Sequence, residues 1–373
     1  MNSLMFLSKP FHTDPRVIKE INTLLSGGHN VSLIFWNKYN ECVFTDSVIG
    51  VVKPQEGVVF KFCSVNAKPF FGSSFLSNPK WCKEAYELAL RMHSLNKYDV
   101  VHCHDLDTLK IGVKLKKKLG VKLIYDCHDA IPFYFRSKTL SLMARKYEKK
   151  LLEHVDHIIT VTEPMIEYLN TDKPITLVMN CCETIMDKYI EPDSDVFTVV
   201  YIGTMNRHRM FPEIVDIIGK MRDVRFIVGG RREALYDAVK KRCEQYDNVE
   251  FVGELSFEEV LTYILNSHAI ISILQPDDEN NKLTIPTKVF EAMAYGRASI
   301  VTDGMHYSKI VKENNCGVAV PYSKEGVMRA IEMLKENKMY KKLGINGIKV
   351  AKEKYNWYNE GKKLLQVYEE LGG

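Results

Sequence analysis

Asn281–Asp303, NKLTIPTKVFEAMAYGRASIVTD, predicts a helix from Pro286 to Tyr295, a stop at Gly296 and an apolar strand from Ala298 to Val301. Proline suits a first helical turn, where its missing N–H would have no partner, and glycine suits the left-handed residue that ends a helix. The start of such a helix offers free backbone N–H groups and a positive dipole end. Lys288 adds a cation, so Pro286, Thr287 and Lys288 together fit a phosphate or diphosphate. Glu291, one turn further on, can accept hydrogen bonds from sugar hydroxyls. The competing explanation is an ordinary Lys288–Glu291 pair at i,i+3 on a solvated helix face.

The same alternation of helix and apolar strand runs through the whole chain. Strands are predicted at Leu4–Leu7, Val31–Phe35, Val58–Cys63, Val100–Cys103, Leu123–Cys127, His157–Val161 and Thr176–Met179. In the second half they fall at Thr198–Ile202, Arg225–Val228, Val249–Val252, Ala269–Ile273, Ala298–Val301 and Gly317–Val320. Strands separated by helices imply α/β architecture with parallel sheets, and continuous apolar runs imply sheets covered on both faces. At 373 residues the chain exceeds one comfortable core. The polar segment Glu191–Val196, EPDSDV, is the expected boundary between two Rossmann-like doubly wound domains, residues 1–190 and 191–355. Residues 356–373 form a helix expected to pack back toward the first domain. Ligands of such sheets bind at strand carboxyl ends, and the expected active site is a cleft between the domains.

Composition narrows the function classes. With 46% hydrophobic and 26% charged residues the chain is an ordinary globular protein, and a net charge of +4 gives no reason to invoke nucleic acid. Nine cysteines, an odd number scattered through strand-like runs, suit reduced thiols. Cys181 and Cys182 are adjacent and no C-x-x-C pair occurs, which argues against a zinc ribbon. Leu4–Ser8 is too short for a signal peptide, and no apolar stretch approaches the ~20 residues of a membrane span. The expected location is the cytoplasm, with the inner face of the membrane as a docking place.

Several post-strand turns carry chemistry. His102-Cys103-His104-Asp105 and Asp126-Cys127-His128-Asp129 each end a strand. Metal ligation is one reading of them, but a satisfied polar sheet edge is commoner, so no metal is expected. Asp105-Leu106-Asp107 matches a D-x-D pattern too short to carry weight. The first strand leads to Asp14-Pro15-Arg16 without a G-x-G-x-x-G, which argues against a nicotinamide site. Arg16 can clamp a phosphate, while Asp14 caps the following helix. In the second half, Gly203-Thr204 leads to Arg207 and Arg209, and Gly229-Gly230 leads to Arg231 and Arg232. With the Pro286 helix these make three basic or glycine-bearing turns in one domain, which points to a diphosphate pocket. The aromatic loop Lys68–Leu76 and the helical lysines Lys110, Lys114, Lys117 and Lys118 suggest peripheral contact with an anionic membrane, although a solvated lysine face explains the latter as well.

Taken together, DPRVIKEINTLLSGGHNVSLI, YDVVHCHDLDTLKIG, KLIYDCHDAIPF, VDHIITVTEPMIEYL, YIGTMNRHRM and PTKVFEAMAYGRASIVTD resemble, in order, the retaining glycosyltransferases of family 4. The resemblance covers nearly the whole chain and implies the GT-B fold. It implies transfer of a sugar from a nucleotide diphosphate (UDP- or GDP-linked) to a hydroxyl of a glycan or lipid-linked acceptor, with retention and without a metal or other cofactor. By position, Glu291 matches the acid that contacts the ribose, while Lys288 and the Pro286–Thr287 helix start match the diphosphate site. Arg209, or in second place Arg207, matches the base that neutralises the leaving group. His128 matches the histidine near the reacting sugar; Arg16, His104 and Asp105 fall on the acceptor side. Gly203, Thr204, Gly229, Gly230 and Arg231 fall on the donor side. The family's other glutamate, eight positions before Glu291, is Leu283 here, and Thr204 stands where many members have arginine. A nucleotide-sugar epimerase of the same fold and a non-catalytic partner subunit are the alternatives.

Overall fold

The protein is represented by a computed structural model that describes residues 1–37, 52, 55–67, 78–233 and 235–373. The Lys68–Leu76 loop lies outside the described residues. The chain divides into two compact units, Met1–Met179 with Glu360–Gly373, and Asn180–Asn359.

The first unit contains seven parallel strands: β1 (Asn2–Leu7), β2 (Asn30–Trp36), β3 (Phe60–Val65), β4 (Val100–His104), β5 (Lys122–Cys127), β6 (His157–Thr160) and β7 (Ile175–Leu177). Their order in the sheet is β3-β2-β1-β4-β5-β6-β7. The second unit contains β8 (Phe197–Ile202), β9 (Val224–Gly229), β10 (Val249–Gly253), β11 (Ala269–Ser272), β12 (Ala298–Thr302) and β13 (Gly317–Val320), in the order β10-β9-β8-β11-β12-β13. All described pairings are parallel. Both sheets therefore reverse direction once, between β1 and β4 and between β8 and β11. At each reversal neighbouring loops diverge and leave a crevice at the strand carboxyl ends.

Helices on both faces keep the central strands dry; every residue of β4, β11 and β12 is buried. Burial of each large aliphatic side chain in them contributes roughly 1.5–3 kcal/mol. Pro286 stands one position earlier than expected, as the cap of the helix Thr287–Ala294. Gly296 then takes a left-handed φ of 67° and turns the chain into β12. The helix Trp357–Gly372 joins the first unit from Glu360 onward, where the Glu360 carboxylate accepts the Met179 N–H at 2.8 Å.

Arg297 has the role in this unit that its sequence context least suggests. It is fully buried, donating to the carbonyls of Ser267 at 3.1 Å and Ile190 at 2.6 Å, with its guanidinium 5.2 Å from the Tyr189 ring centroid. Replacing Arg297 by Met should strand both carbonyls and cost roughly 2–4 kcal/mol. A urea titration followed by circular dichroism should show the lower midpoint; an unchanged midpoint would mean that water replaces the guanidinium at no cost.

Candidate active site

In the second unit the crevice beside β8 is built on a steric allowance. Gly203 and Gly230 have φ of 154° and 152°, and a Cβ on Gly230 would overlap the Gly203 carbonyl oxygen. The Gly203 N–H donates to the Gly229 carbonyl at 2.9 Å, and the Gly230 N–H donates to the Gly253 carbonyl at 2.7 Å. The two turns are thus packed backbone against backbone. A Cβ on Gly203 would in turn overlap Lys288 Nζ. The ammonium occupies that vacant volume, 4.9 Å from the Tyr201 ring centroid, where a cation is attracted to the π face. The Tyr201 hydroxyl donates to the Thr204 carbonyl and so fixes the turn.

Lys288 makes no ion pair with Glu291, so the simple i,i+3 pair is not formed. Its surroundings withdraw water and lower its pKa to about 8; Glu291 partly offsets this and the nearby charge of Arg209 adds to it. Burial raises the Tyr201 hydroxyl to about 12, against the pull of Arg209. Lys288 and Arg209 are therefore two cations close enough to repel each other, an arrangement that an anion relieves. The adjoining helix start has no side-chain cap, leaving its first N–H groups available.

The basic turn Arg207–Arg209 is held from outside. The Tyr322 hydroxyl donates to the Arg207 carbonyl at 3.0 Å, and the Gln275 N–H donates to the His208 carbonyl at 2.8 Å. Arg207 and Arg231 are exposed, Arg209 is half-buried, and Thr204 Oγ1 lies 3.4 Å from Glu233. Leu283 ends the short helix Glu279–Leu283. The two acids nearest it in sequence are already engaged. Asp278 accepts from the Asn281 N–H at 2.9 Å and faces His208 at 3.4 Å, while Glu279 pairs with Lys282 at 2.7 Å.

In the first unit a buried polar cluster stands beside the reversal between β1 and β4. Residues two apart in a strand share a face, so His102 and His104 of β4 look the same way. Register sets His104 beside Asp126 of β5, and His128 follows two residues later. Glu20, from the helix Pro15–Ser26, covers the group. Asp126 Oδ2 lies 3.3 Å from His102 Nε2, 3.2 Å from His104 Nδ1 and 3.0 Å from His128 Nε2. Burial tends to raise the Asp126 carboxyl, but His128 and the three imidazole hydrogen bonds hold it well below the usual range. Glu20 is raised by burial and by the Asp126 charge, and burial with His102 lowers His104 to about 4. For His128 burial lowers the pKa, but the charge and hydrogen bond of Asp126 together with the charge of Asp105 leave it raised.

Arg16 and Asp105 both have structural partners in the first unit. Arg16 Nε and Nη2 donate to the two Asp14 oxygens at 3.0 and 2.9 Å, and Lys9 adds a contact at 2.8 Å. The guanidinium fork is thus engaged in neutralising a buried carboxylate. Burial would raise the Asp14 carboxyl, yet Arg16 and Lys9 hold it far below the ordinary value. Asp105, at a φ of 61°, accepts from the N–H groups of His128 at 3.0 Å and Asp129 at 3.2 Å, which fixes the His128 turn. Glu20, Tyr201 and Tyr322 escape a sequence reading. Only the position of Tyr201 directly before Ile202-Gly203 hints at a role.

The profile of Glycosyltransferase Family 4 matches residues 21–184, and that of Glycosyl transferases group 1 matches residues 196–337. An uncharacterized glycosyltransferase of Methanocaldococcus jannaschii is 20% identical over 331 residues, 81% of this chain and 83% of that protein. Sucrose-phosphate synthase of Thermosynechococcus elongatus is similar in structure with a TM-score of 0.78 at 16% identity, over 100% of this chain and 99% of that one. HepE of Anabaena, solved with UDP and glucose, gives 0.72 at 12% identity over 99% of each chain. At such identities the structural likeness speaks for the fold.

The state of Lys288 sets a pH dependence. With a pKa of about 8 it is charged below that pH and neutral above it. Inorganic pyrophosphate, an anion that favours the charged form, should bind roughly tenfold more weakly at pH 9 than at pH 7. Lys288→Met should bind weakly at both pH values. Isothermal titration at the two values decides, and equal affinities for the unaltered chain would remove Lys288 from the anion site.

Proposed function

We propose, on the premise that this chain belongs to glycosyltransferase family 4 and has the GT-B fold, that it transfers a sugar from a nucleoside diphosphate to an acceptor hydroxyl with retention of configuration. The observation that carries this reading is the seating of the Lys288 ammonium against Gly203, with Arg209 near. In the reaction the bond from the anomeric carbon to the diphosphate oxygen breaks and the acceptor oxygen bonds to the same face of the sugar. The hydroxyl proton passes to the departing phosphate oxygen. Negative charge grows on that phosphate, and fixed cations with a helix start stabilise it without rearranging, so the chain's own groups suffice for this role. Glu291 accepts from the ribose, and His128 stands on the acceptor side.

UDP is the first candidate nucleotide and GDP the second. A thermal-shift series with UDP, GDP and ADP tests this, because a ligand that binds the native state raises its stability. Arg209→Ala should lower kcat about 10²–10³-fold while UDP affinity falls much less. Unchanged kcat would reassign the leaving-group role. Glu291→Ala should weaken UDP binding. Product formed from donor alone, without acceptor, would point instead to an epimerase.

The acceptor side carries a surface suited to lipid. On the helix Lys138–Leu152, Leu140, Leu142 and Met143 are exposed by 49%, 62% and 61%. Lys138, Lys146, Lys149 and Lys150 on the same helix are exposed as well, and so are Lys110, Lys114 and Lys117 on the helix Leu106–Leu119. Apolar side chains that enter the headgroup layer beside cations that hold anionic lipid make a peripheral membrane contact, and with it a lipid-linked acceptor. No helix among the described residues is long and apolar enough to cross a membrane. The chain should sediment with vesicles containing phosphatidylglycerol at low salt, and Leu142→Asp with Met143→Asp should abolish this. Equal sedimentation of the double variant would place the contact elsewhere.

A further inference from the structure

The buried cluster of the first unit has the shape of a metal site. His104 Nδ1, His128 Nε2 and Asp126 Oδ2 form a triangle with sides of 3.2, 3.0 and 3.3 Å. Ligands held about 2.1 Å from one zinc ion at tetrahedral angles lie about 3.4 Å apart. Glu20 supplies the fourth corner, with Oε2 3.9 Å from His104 Nδ1 and Oε1 3.9 Å from His128 Nε2. One ligand atom from each of the four residues lies within 4.8 Å of the others, and all four residues are buried. Glu20 stands farther out than the other three, and its carboxylate would move inward to complete a tetrahedron.

Hydrogen bonding alone distributes these atoms poorly. Three imidazole nitrogens converge on the single oxygen Asp126 Oδ2, whereas Asp126 Oδ1 and Glu20 Oε2 are buried without a hydrogen-bond partner. His104 Nε2 and His128 Nδ1 are also unpartnered, so no outer bond forces either ring to turn a proton inward. Neither carboxylate has a lysine or arginine in salt-bridge contact among the described residues. Two carboxylates, two neutral imidazoles and a dication sum to zero charge, which is the economical state for a buried group. His102 completes the frame from outside, donating or accepting at 2.8 Å with the Tyr368 hydroxyl while its other nitrogen holds Asp126. Such outer partners orient the ligands of a metal.

We propose that Glu20, His104, Asp126 and His128 bind one divalent transition-metal ion, with zinc the best match. Two imidazoles disfavour magnesium and calcium, and four ligands at tetrahedral spacing suit zinc. The ion ties the helix Pro15–Ser26 to the ends of β4 and β5 and holds His128 by Nε2, leaving its hydrogen on Nδ1. This site lies within the first unit and does not depend on the donor groups of the second, but it commits His128, proposed for the acceptor side, to the ion as a ligand.

The test uses the full chain purified without a histidine tag. Metal analysis should find about one zinc per chain. After removal of metal by a chelator, added Zn2+ should raise the melting temperature, and added Co2+ should give the visible bands of a tetrahedral ion. His104→Gln and Asp126→Asn should lose both responses, and His102→Phe should weaken Zn2+ binding about 10–100-fold. Circular dichroism checks that each variant is folded, and Glu20→Gln carries the test if either ligand variant is not. The proposal is overturned if the stripped chain responds to neither ion, or if folded ligand variants respond as the unaltered chain does. Unchanged UDP affinity across these variants separates failure of the metal site from failure of the donor site.

Discussion

The absence of two Cβ atoms governs the chemistry of the second unit. Gly203 and Gly230 let two strand-to-loop turns touch backbone to backbone, and the remaining volume admits the Lys288 ammonium. Any larger residue at Gly203 would push that cation away from Tyr201 and from the β8 turn. The cation in turn sits near Arg209 and has its pKa drawn down to about 8. A site assembled this way holds unfavourable charge in reserve, and an anion that binds there gains the release of that repulsion in addition to its own contacts.

The first unit solves the opposite electrostatic problem. Its strand ends gather carboxylates, and each is balanced differently. Asp14 takes both arms of Arg16 and a contact from Lys9, so it is a closed ion pair beneath the loop. Asp105 is turned to backbone N–H groups and shapes the His128 turn. Among the described residues Asp126 pairs with imidazoles, which are weaker and titratable partners, and Glu20 meets His128 at 3.9 Å and the charge of Asp126. The residue types on β4 and β5 therefore leave a pocket in which two buried carboxylates each keep an oxygen without a hydrogen-bond partner.

Parallel strands covered on both faces write themselves as unbroken apolar runs, which is why all thirteen described strands were legible from sequence to within a few residues. The basic turns were legible for a related reason, since a glycine or an arginine directly after such a run has few structural uses. Contacts made across long sequence distances were not legible. Tyr368 reaches His102 from 266 residues away, and nothing in the helix Trp357–Gly372 marks it among ordinary amphipathic residues. Glu20 reads as a solvent-facing residue of a first helix, yet it is buried. The pairing of Arg16 with Asp14 was not legible either, because the strength of Asp14 as a partner depends on burial that the sequence does not display.

Leu283 sets a further constraint on the second unit. A missing acid in a binding site can be replaced by a neighbour only if that neighbour has an uncommitted carboxylate. Asp278 caps the short helix and faces His208, and Glu279 closes on Lys282. Glu291, one helical turn from Lys288, is the acid that the helix Thr287–Ala294 itself supplies. The cations, the helix start and the glycine turns are all groups suited to an anion, whereas Leu283 offers no carboxylate. On the proposed reading, recognition rests on the diphosphate first, and discrimination among sugars would fall to shape and backbone groups.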